Sequence, residues 1–313
     1  MRILISGASG MVGKALRGSL LQQGEHPAAL VRHPGVGPPQ PGPKDIPWAP
    51  YKDPPIANAA ALEGFDAAVH LSGENLSEGR WTPKRKATFR ESRVVPTRRL
   101  AAMLARCAAR PRMLVCASAI GWYGDRGDEI LTEQSAVGEG FLADLCRDWE
   151  RAAEEAEVAG IRVVHLRFGV ILSPDGGALK KMLPVFKLGL GGQLGRGSQW
   201  MSWISLADAV SAICFAMKDS TLSGAVNVVS PQPATNADFT RALATVLHRP
   251  ALIPVPGFAL RAAFGEMADA TILSSARVLP ARLQAAGFHF QHPEVRGALE
   301  AMLAKEAPHQ GRH

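Results

Sequence analysis

Apolar positions near the start of the chain come in short blocks, each closed by glycine or proline. Ile3-Leu4-Ile5 stops at Ser6-Gly7, so Arg2 to Ser6 predicts a buried strand. Gly7 to Gly13 is a glycine turn, and Lys14 to Gln23 has helical composition ending at Gly24. A second strand is predicted over Pro27 to Arg32. Proline and glycine crowd the stretch from Pro34 to Pro55, which excludes a long helix there and leaves Ile46-Pro47-Trp48 as a short edge strand. Phe65 to Leu71 is the third clear strand, after an alanine-rich helix.

Thr82-Pro83 is a helix start, with threonine as cap and proline in the first turn. Leu100, Met103, Leu104 and Cys107 then recur at helical spacing as a buried stripe, and Pro96 should kink this segment or divide it in two. A strand over Met113 to Ser118, a helix over Phe141 to Ala159 and a strand over Ile161 to Phe168 continue the alternation. Strands separated by helices predict an α/β fold: a Rossmann doubly wound parallel sheet. After Gly169 the rhythm weakens into a glycine-rich loop, Gly189 to Gly197, before a helix over Ser205 to Lys218 and a strand over Ala225 to Val229. The predicted organisation is a Rossmann domain over 1–170, rejoined by about 206–229, with a smaller C-terminal substrate lobe from 171–205 and 230–304. The polar tail 305–313 should fray.

Composition adds a few limits. With 47% hydrophobic and 20% charged residues among 313, the chain can bury a substantial core. It has no uninterrupted apolar run of about 18 residues, so no membrane span is expected. The N-terminal apolar block ends too soon for a signal peptide and has no cleavage site after it. Cys107, Cys116, Cys146 and Cys214 are scattered in apolar surroundings and read as reduced, buried hydrophobes, which suits the cytoplasm. No histidine or cysteine spacing predicts a metal site. The formal charge of +7 gathers partly in Lys84, Arg85, Lys86, Arg90, Arg93, Arg98 and Arg99. Without interleaved aromatics this run is a poor nucleic-acid surface, and a solvated helix face or a phosphorylated ligand explains it as well.

Gly7, Gly10 and Gly13 carry the first chemistry. Following a strand and opening a helix, they suit a dinucleotide: a tight turn, close approach of the pyrophosphate, and close helix–strand packing. Ser9, Met11 and Val12 complete that turn, and the helix N-terminus supplies N–H groups to phosphate. At the end of the second strand Arg32 and His33 stand where an NAD site places a carboxylate, and none follows before Asp45. An arginine there suits the 2′-phosphate of NADP(H), which is favoured over NAD(H). The third strand ends in His70-Leu71-Ser72-Gly73-Glu74-Asn75, which places Leu71, Ser72, Gly73 and Glu74 on the cofactor and Asn75 towards a substrate. Ser118 and Tyr123 follow the next strand and are the candidate carbonyl partner and proton donor. Arg93 and Arg167 are candidates for a substrate phosphate or carboxylate. Asp208 reads as an acid at a helix N-terminus. The Gly189 to Gly197 loop lacks a Gly-Lys-Ser/Thr ending, so an NTPase is excluded.

These motifs resemble the extended short-chain dehydrogenase/reductase superfamily. Glu91-Ser92-Arg93, Trp149-Glu150, Leu188-Gly189-Leu190-Gly191-Gly192, Trp203-Ile204 with Asp208, and Pro233-Ala234-Thr235-Asn236 are similar to its atypical epimerase-family branch. That branch is often labelled nucleoside-diphosphate-sugar epimerase or cell-division inhibitor. The resemblance implies a Rossmann domain, a C-terminal substrate lobe and NADP binding, and names no substrate. One departure stands out. The superfamily's Tyr-x-x-x-Lys pair would fall on Leu142 and Cys146, or one residue earlier on Phe141 and Leu145. Tyr51 and Tyr123, the chain's two tyrosines, are followed four residues on by Pro55 and Gly127. Two readings follow. One is an oxidoreductase or epimerase on a small carbonyl or sugar-like substrate, with Ser118 and Tyr123 as its polar pair. The other is an NADP(H) sensor or regulatory scaffold, with nucleic-acid association as an outsider.

Overall fold

A computed structural model describes residues 1–32 and 45–304. His33 and the tail 305–313 lie outside the described residues. The chain divides into two compact units.

The first unit comprises Met1–Trp122, Phe141–Arg167 and Val210–Val226. Its elements are β1 (Arg2–Ser6), α1 (Met11–Gln22), β2 (His26–Val31), β3 (Ile46–Pro47), β4 (Ala67–His70), α2 (Pro83–Arg106) and β5 (Met113–Ala119). They continue with α3 (Phe141–Arg151), α4 (Glu154–Val158) and the greater part of β7 (Arg162–Phe168), α6 (Leu206–Lys218) and β11 (Gly224–Val228), whose Phe168, Leu206–Ala209 and Asn227–Val228 fall in the second unit. Seven strands form one sheet in the order β11-β7-β5-β4-β1-β2-β3. The β1–β2, β1–β4, β2–β3 and β4–β5 pairs run parallel. Chain order reverses between β1 and β4, where Ser6 sits opposite His70. Ligands of doubly wound sheets bind at the strand C-termini beside such a reversal.

One core cluster joins Leu4, Leu30, Trp48, Leu62, Leu100, Leu104, Leu114 and Val163. Ile3 and Ile5 are fully buried yet stand outside that cluster, as alternation on a sheet covered on both faces requires. Each such side chain stabilises the fold by about 1.5–3 kcal/mol.

Two expectations are corrected and a third is narrowed. The alanine-rich segment before β4 closes as a single 3-10 turn, Ala59–Leu62, rather than a helix. Of the two outcomes expected at Pro96, a kink or a division, the division does not occur: α2 continues through it. Just past that proline, Thr97 Oγ1 donates to the Arg93 carbonyl at 2.6 Å and accepts from Trp149 Nε1 at 3.1 Å, which pins the turn. The helix predicted over Phe141 to Ala159 breaks between α3 and α4, where the Ala153 N–H reaches only three residues back, to the Glu150 carbonyl.

The second unit comprises Tyr123–Gly140, Phe168–Ala209 and the chain from Asn227 on. The segment Tyr123–Gly140 thus leaves the N-terminal domain to which its position assigned it. A Cβ on Gly138 would stand 1.9 Å from the Tyr123 carbonyl oxygen, so only glycine lets that segment fold on itself. Short strands pair within the unit: β6 (Ile130–Leu131) with β13 (Arg277–Val278), β8 (Val170–Leu172) with β10 (Trp203–Ser205), and β9 (Trp200–Met201) with β12 (Ala234–Thr235). The helices are α5 (Gly177–Lys187), α7 (Asn236–Leu247), α8 (Gly257–Phe264), α9 (Ala281–Ala285) and α10 (Val295–Leu303). Leu179, Leu183, Phe186, Trp203, Phe239, Leu243 and Leu299 form this unit's core. Asp208 is more than a helix-end acid. Fully buried, it accepts from the Gln291 and His292 N–H groups at 2.8 and 3.0 Å and from Ser205 Oγ at 2.9 Å, which ties distant segments together. Among the described residues no helix is long and apolar enough to cross a membrane.

Candidate functional site

The glycine turn divides its labour as the spacing suggests. Gly7 adopts the left-handed conformation, with φ of 77°, and a Cβ there would stand 2.7 Å from the Leu71 carbonyl carbon. A Cβ on Gly13 would stand 2.2 Å from the Gly7 carbonyl oxygen, so α1 lies against the turn with no room for a side chain. Gly10 is different: a Cβ there would meet only the Gly7 oxygen, at 3.4 Å. Its open side is where a ligand can approach the backbone. No side chain caps α1 at Gly10 and no acid sits in its first turn, so the N–H groups and positive dipole end stay available to an anion. Ser9 and Gly10 are exposed, and Met11 and Val12 are half-buried. A pyrophosphate fits this cradle.

Arg32 is exposed directly after β2. Asp45, the next carboxylate in sequence, is engaged elsewhere: it accepts from Arg17 Nη2 at 3.0 Å and from the Ala29 N–H at 3.1 Å. Among the described residues the end of β2 therefore offers a cation and no free acid.

The exit of β4 is a built corner. Leu71, Ser72 and Glu74 are half-buried and Gly73 is exposed. Ser6 Oγ lies 2.6 Å from His70 Nδ1 and 2.7 Å from Ser72 Oγ. Burial pushes the His70 imidazole down to about 4, so it is neutral. Arg93, the sequence candidate for a phosphate or carboxylate, is buried. Its Nη2 donates to the Glu74 carbonyl at 2.9 Å and its Nη1 to the Phe89 carbonyl at 3.1 Å, while the guanidinium lies over the Trp149 ring. Burial lowers its pKa to about 10, and it stays charged. A Cβ on Gly73 would press on this guanidinium at 3.3 Å. Arg93 thus supports this corner from behind. Asn75 is exposed and shapes a turn: Oδ1 accepts from the Ser77 N–H and hydroxyl, and Nδ2 donates to Glu78.

The exit of β5 holds a closed polar network. Ser118 is buried and donates to Glu150 Oε1 at 2.6 Å. Arg167 meets the same carboxylate with two prongs, Nε to Oε1 at 2.8 Å and Nη2 to Oε2 at 2.9 Å, and stacks 3.8 Å from the centroid of Trp122. The two sequence candidates Ser118 and Arg167 thus converge on one carboxylate, Glu150. Within the second unit, Tyr123 is fully buried and its hydroxyl donates to Asn227 Oδ1 at 2.7 Å. Asn227 is held in turn, donating to the Leu279 carbonyl and to Glu133. A phenol so placed packs and hydrogen-bonds within its own unit.

In one of the two registers where the resemblance looked for a tyrosine and a lysine, the helix carries Leu142 and Cys146; in the other, Phe141 and Leu145. Leu142 Cβ would be 3.1 Å from a Cβ on Gly121, and Cys146 Sγ donates to the Ala119 carbonyl at 3.6 Å. Burial pushes this thiol up to about 12, so it keeps its proton. The basic run on α2 serves the chain's own acceptors: Arg85 donates to the Glu78 carbonyl, Arg90 pairs with Asp148, and Arg99 donates to the Lys52 carbonyl. Sequence reasoning passed over Ser6, His70 and Glu150 as site residues. Ser6 was legible as the last strand position before the glycine turn. Glu150 stood out only within the Trp149-Glu150 motif, and its role was hidden because its partners come from segments 32 and 17 residues away.

A family model described as NAD dependent epimerase/dehydratase matches residues 3–229, and a domain of unknown function matches 255–302. An epimerase family protein of Mycobacterium bovis is 41% identical over 297 residues, covering 95% of this chain and 96% of that protein. The crystal structure of the human epimerase family protein SDR39U1 with NADPH superposes with a TM-score of 0.87 at 32% identity, covering 97% of this chain and 99% of that one. A Thermus thermophilus UDP-glucose 4-epimerase complex with NAD, at 18% identity and a TM-score of 0.75, covers 98% of this chain and 100% of its own, and shares the fold.

Proposed function

The chain belongs to the NAD dependent epimerase/dehydratase family, and from that premise we propose that its first unit binds NADP(H) in preference to NAD(H). The carrying observation is the uncapped glycine turn at the sheet's reversal point, with exposed Arg32 and an engaged Asp45 at the end of the neighbouring strand. Gly7, Gly10 and Gly13, with Ser9, Met11 and Val12, hold the pyrophosphate; Leu71, Ser72, Gly73 and Glu74 line the opposite wall. Arg32 meets the 2′-phosphate. The NADPH carried by the human relative supports this choice. When bound, the dinucleotide supplies a hydride donor or acceptor.

The chain's own share of any oxidoreductase or epimerase reaction on a small carbonyl or sugar-like substrate is the handling of a proton. Ser118 and Tyr123 are both committed to internal bonds, which favours the second reading, an NADP(H) sensor or regulatory scaffold with reduced turnover. The four buried free cysteines support a reducing, cytoplasmic setting. The internal engagement of the α2 arginines argues against nucleic acid as the partner.

The test is titration of the wild type and Arg32→Ala with NADPH and NADH. NADPH should bind the wild type more tightly, and the substitution should weaken NADPH alone, by about tenfold or more for a lost charged hydrogen bond. Saturable binding of neither nucleotide overturns the proposal. NADPH oxidation over a panel of carbonyl substrates then separates enzyme from sensor.

A further inference from the structure

Three side chains form a line running inward from the C-terminal edge of the β1–β4 pair. Ser72 stands half-buried at the mouth and shares a 2.7 Å hydrogen bond with Ser6, which shares a 2.6 Å bond with His70 Nδ1. Ser6 and His70 are sealed, at 1% and 0% exposure. The direction of donation is decided at the inner end. His70 Nε2 is buried and meets no hydrogen-bond partner among the described residues. The neutral ring carries one proton and one lone pair on its two nitrogens. A buried N–H left unpaired is rarer than an unpaired acceptor, so the lone pair belongs on Nε2 and the proton on Nδ1. Nδ1–H then donates to Ser6, and the single Ser6 proton donates to Ser72. The Ser72 proton is left facing outward.

We propose that Ser72 is a hydrogen-bond donor of fixed polarity to an acceptor oxygen in the phosphate–ribose part of the dinucleotide, with Ser6 and His70 as positioning residues. The placement suits that ligand, because a Cβ on Gly7 would stand 2.9 Å from the Ser72 nitrogen, so Ser72 borders the phosphate-binding turn. The opposite polarity would turn a lone pair of Ser72 towards a negatively charged oxygen. This inference rests on the reading that the first unit binds a dinucleotide.

Two measurements test it. Nitrogen-15 NMR of histidine-labelled, nucleotide-free protein near neutral pH reads the tautomer of His70, whose signal is assigned by its shift in Ser6→Ala. The Nδ1–H form is expected, and the Nε2–H form overturns the proposal. NADPH titration should show Ser72→Ala weaker by about tenfold, with Ser72→Thr, which keeps the hydroxyl, close to the wild type. Equal binding by wild type and Ser72→Ala overturns the donor role while leaving the cofactor reading standing. A wild type that binds no NADPH overturns the cofactor reading itself.

Discussion

Glu150 and Arg167 meet as a two-pronged ion pair whose side chains are 11% and 4% exposed, with Ser118 donating to the same carboxylate. Removing one partner strands the other charge away from water. Glu150→Ala should lower stability by about 3–5 kcal/mol in urea unfolding, and joint replacement of Glu150 and Arg167 by methionine should cost much less. A Glu150→Ala protein as stable as wild type would show that the pair is not held as described.

The two closing glycines of the turn should separate folding from binding. Gly13→Ala puts a Cβ 2.2 Å from the Gly7 oxygen and should yield little folded protein. Gly10→Ala meets nothing closer than 3.4 Å and should keep near-native stability while NADPH affinity falls, because the methyl group occupies the ligand's approach. Thermal unfolding with nucleotide titration on both variants checks this.

Tyr123→Phe removes the bond to Asn227 and leaves a buried amide oxygen without its donor, a loss of about 1–2 kcal/mol. NADPH affinity should stay within about twofold of wild type. If a substrate is found and this variant folds normally yet loses turnover, Tyr123 is the proton donor after all and its described position is not the working one.

His70 should leave a pH signature on stability. Its pKa falls from 6.5 to about 4 on burial, so at intermediate pH the unfolded chain binds more protons than the folded one. The effect is absent above pH 6.5, where both forms are neutral. It destabilises progressively as pH falls towards 4 and grows no further below that, reaching about 3 kcal/mol. Urea unfolding between about pH 7 and 4 should show this slope in wild type and not in His70→Asn.

Where the sequence was legible, local chemistry had decided the outcome. The strand β1, the glycine turn and the edge strand at Ile46 follow from residues within a few positions of each other, and α6 and β11 from equally local patterns. At Pro96 the choice between a kink and a division lay beyond local sequence, because Thr97 and Trp149, the latter from another helix, join across it. Ser118, Arg167 and Arg93 share one feature that sequence could not show: each has a partner inside the fold. Residue type marks a group that can bind a ligand, but a partner brought in by the fold decides whether that capacity is already used. Glu150 and the Glu74 carbonyl are such partners.

The close approach at Gly121 has a consequence for protein engineering. Converting Leu142 to tyrosine and Cys146 to lysine would write the superfamily's dyad into this chain in two codons. Yet Leu142 Cβ already stands 3.1 Å from where a Gly121 side chain would begin, and Cys146 sits at 2% exposure beneath the end of β5. An ammonium at position 146 has no water to reach, whereas Leu142 is half-buried and a phenol there keeps a path to solvent. Grafting catalysis here therefore begins with a wet setting for the charge at position 146, and the phenol comes second.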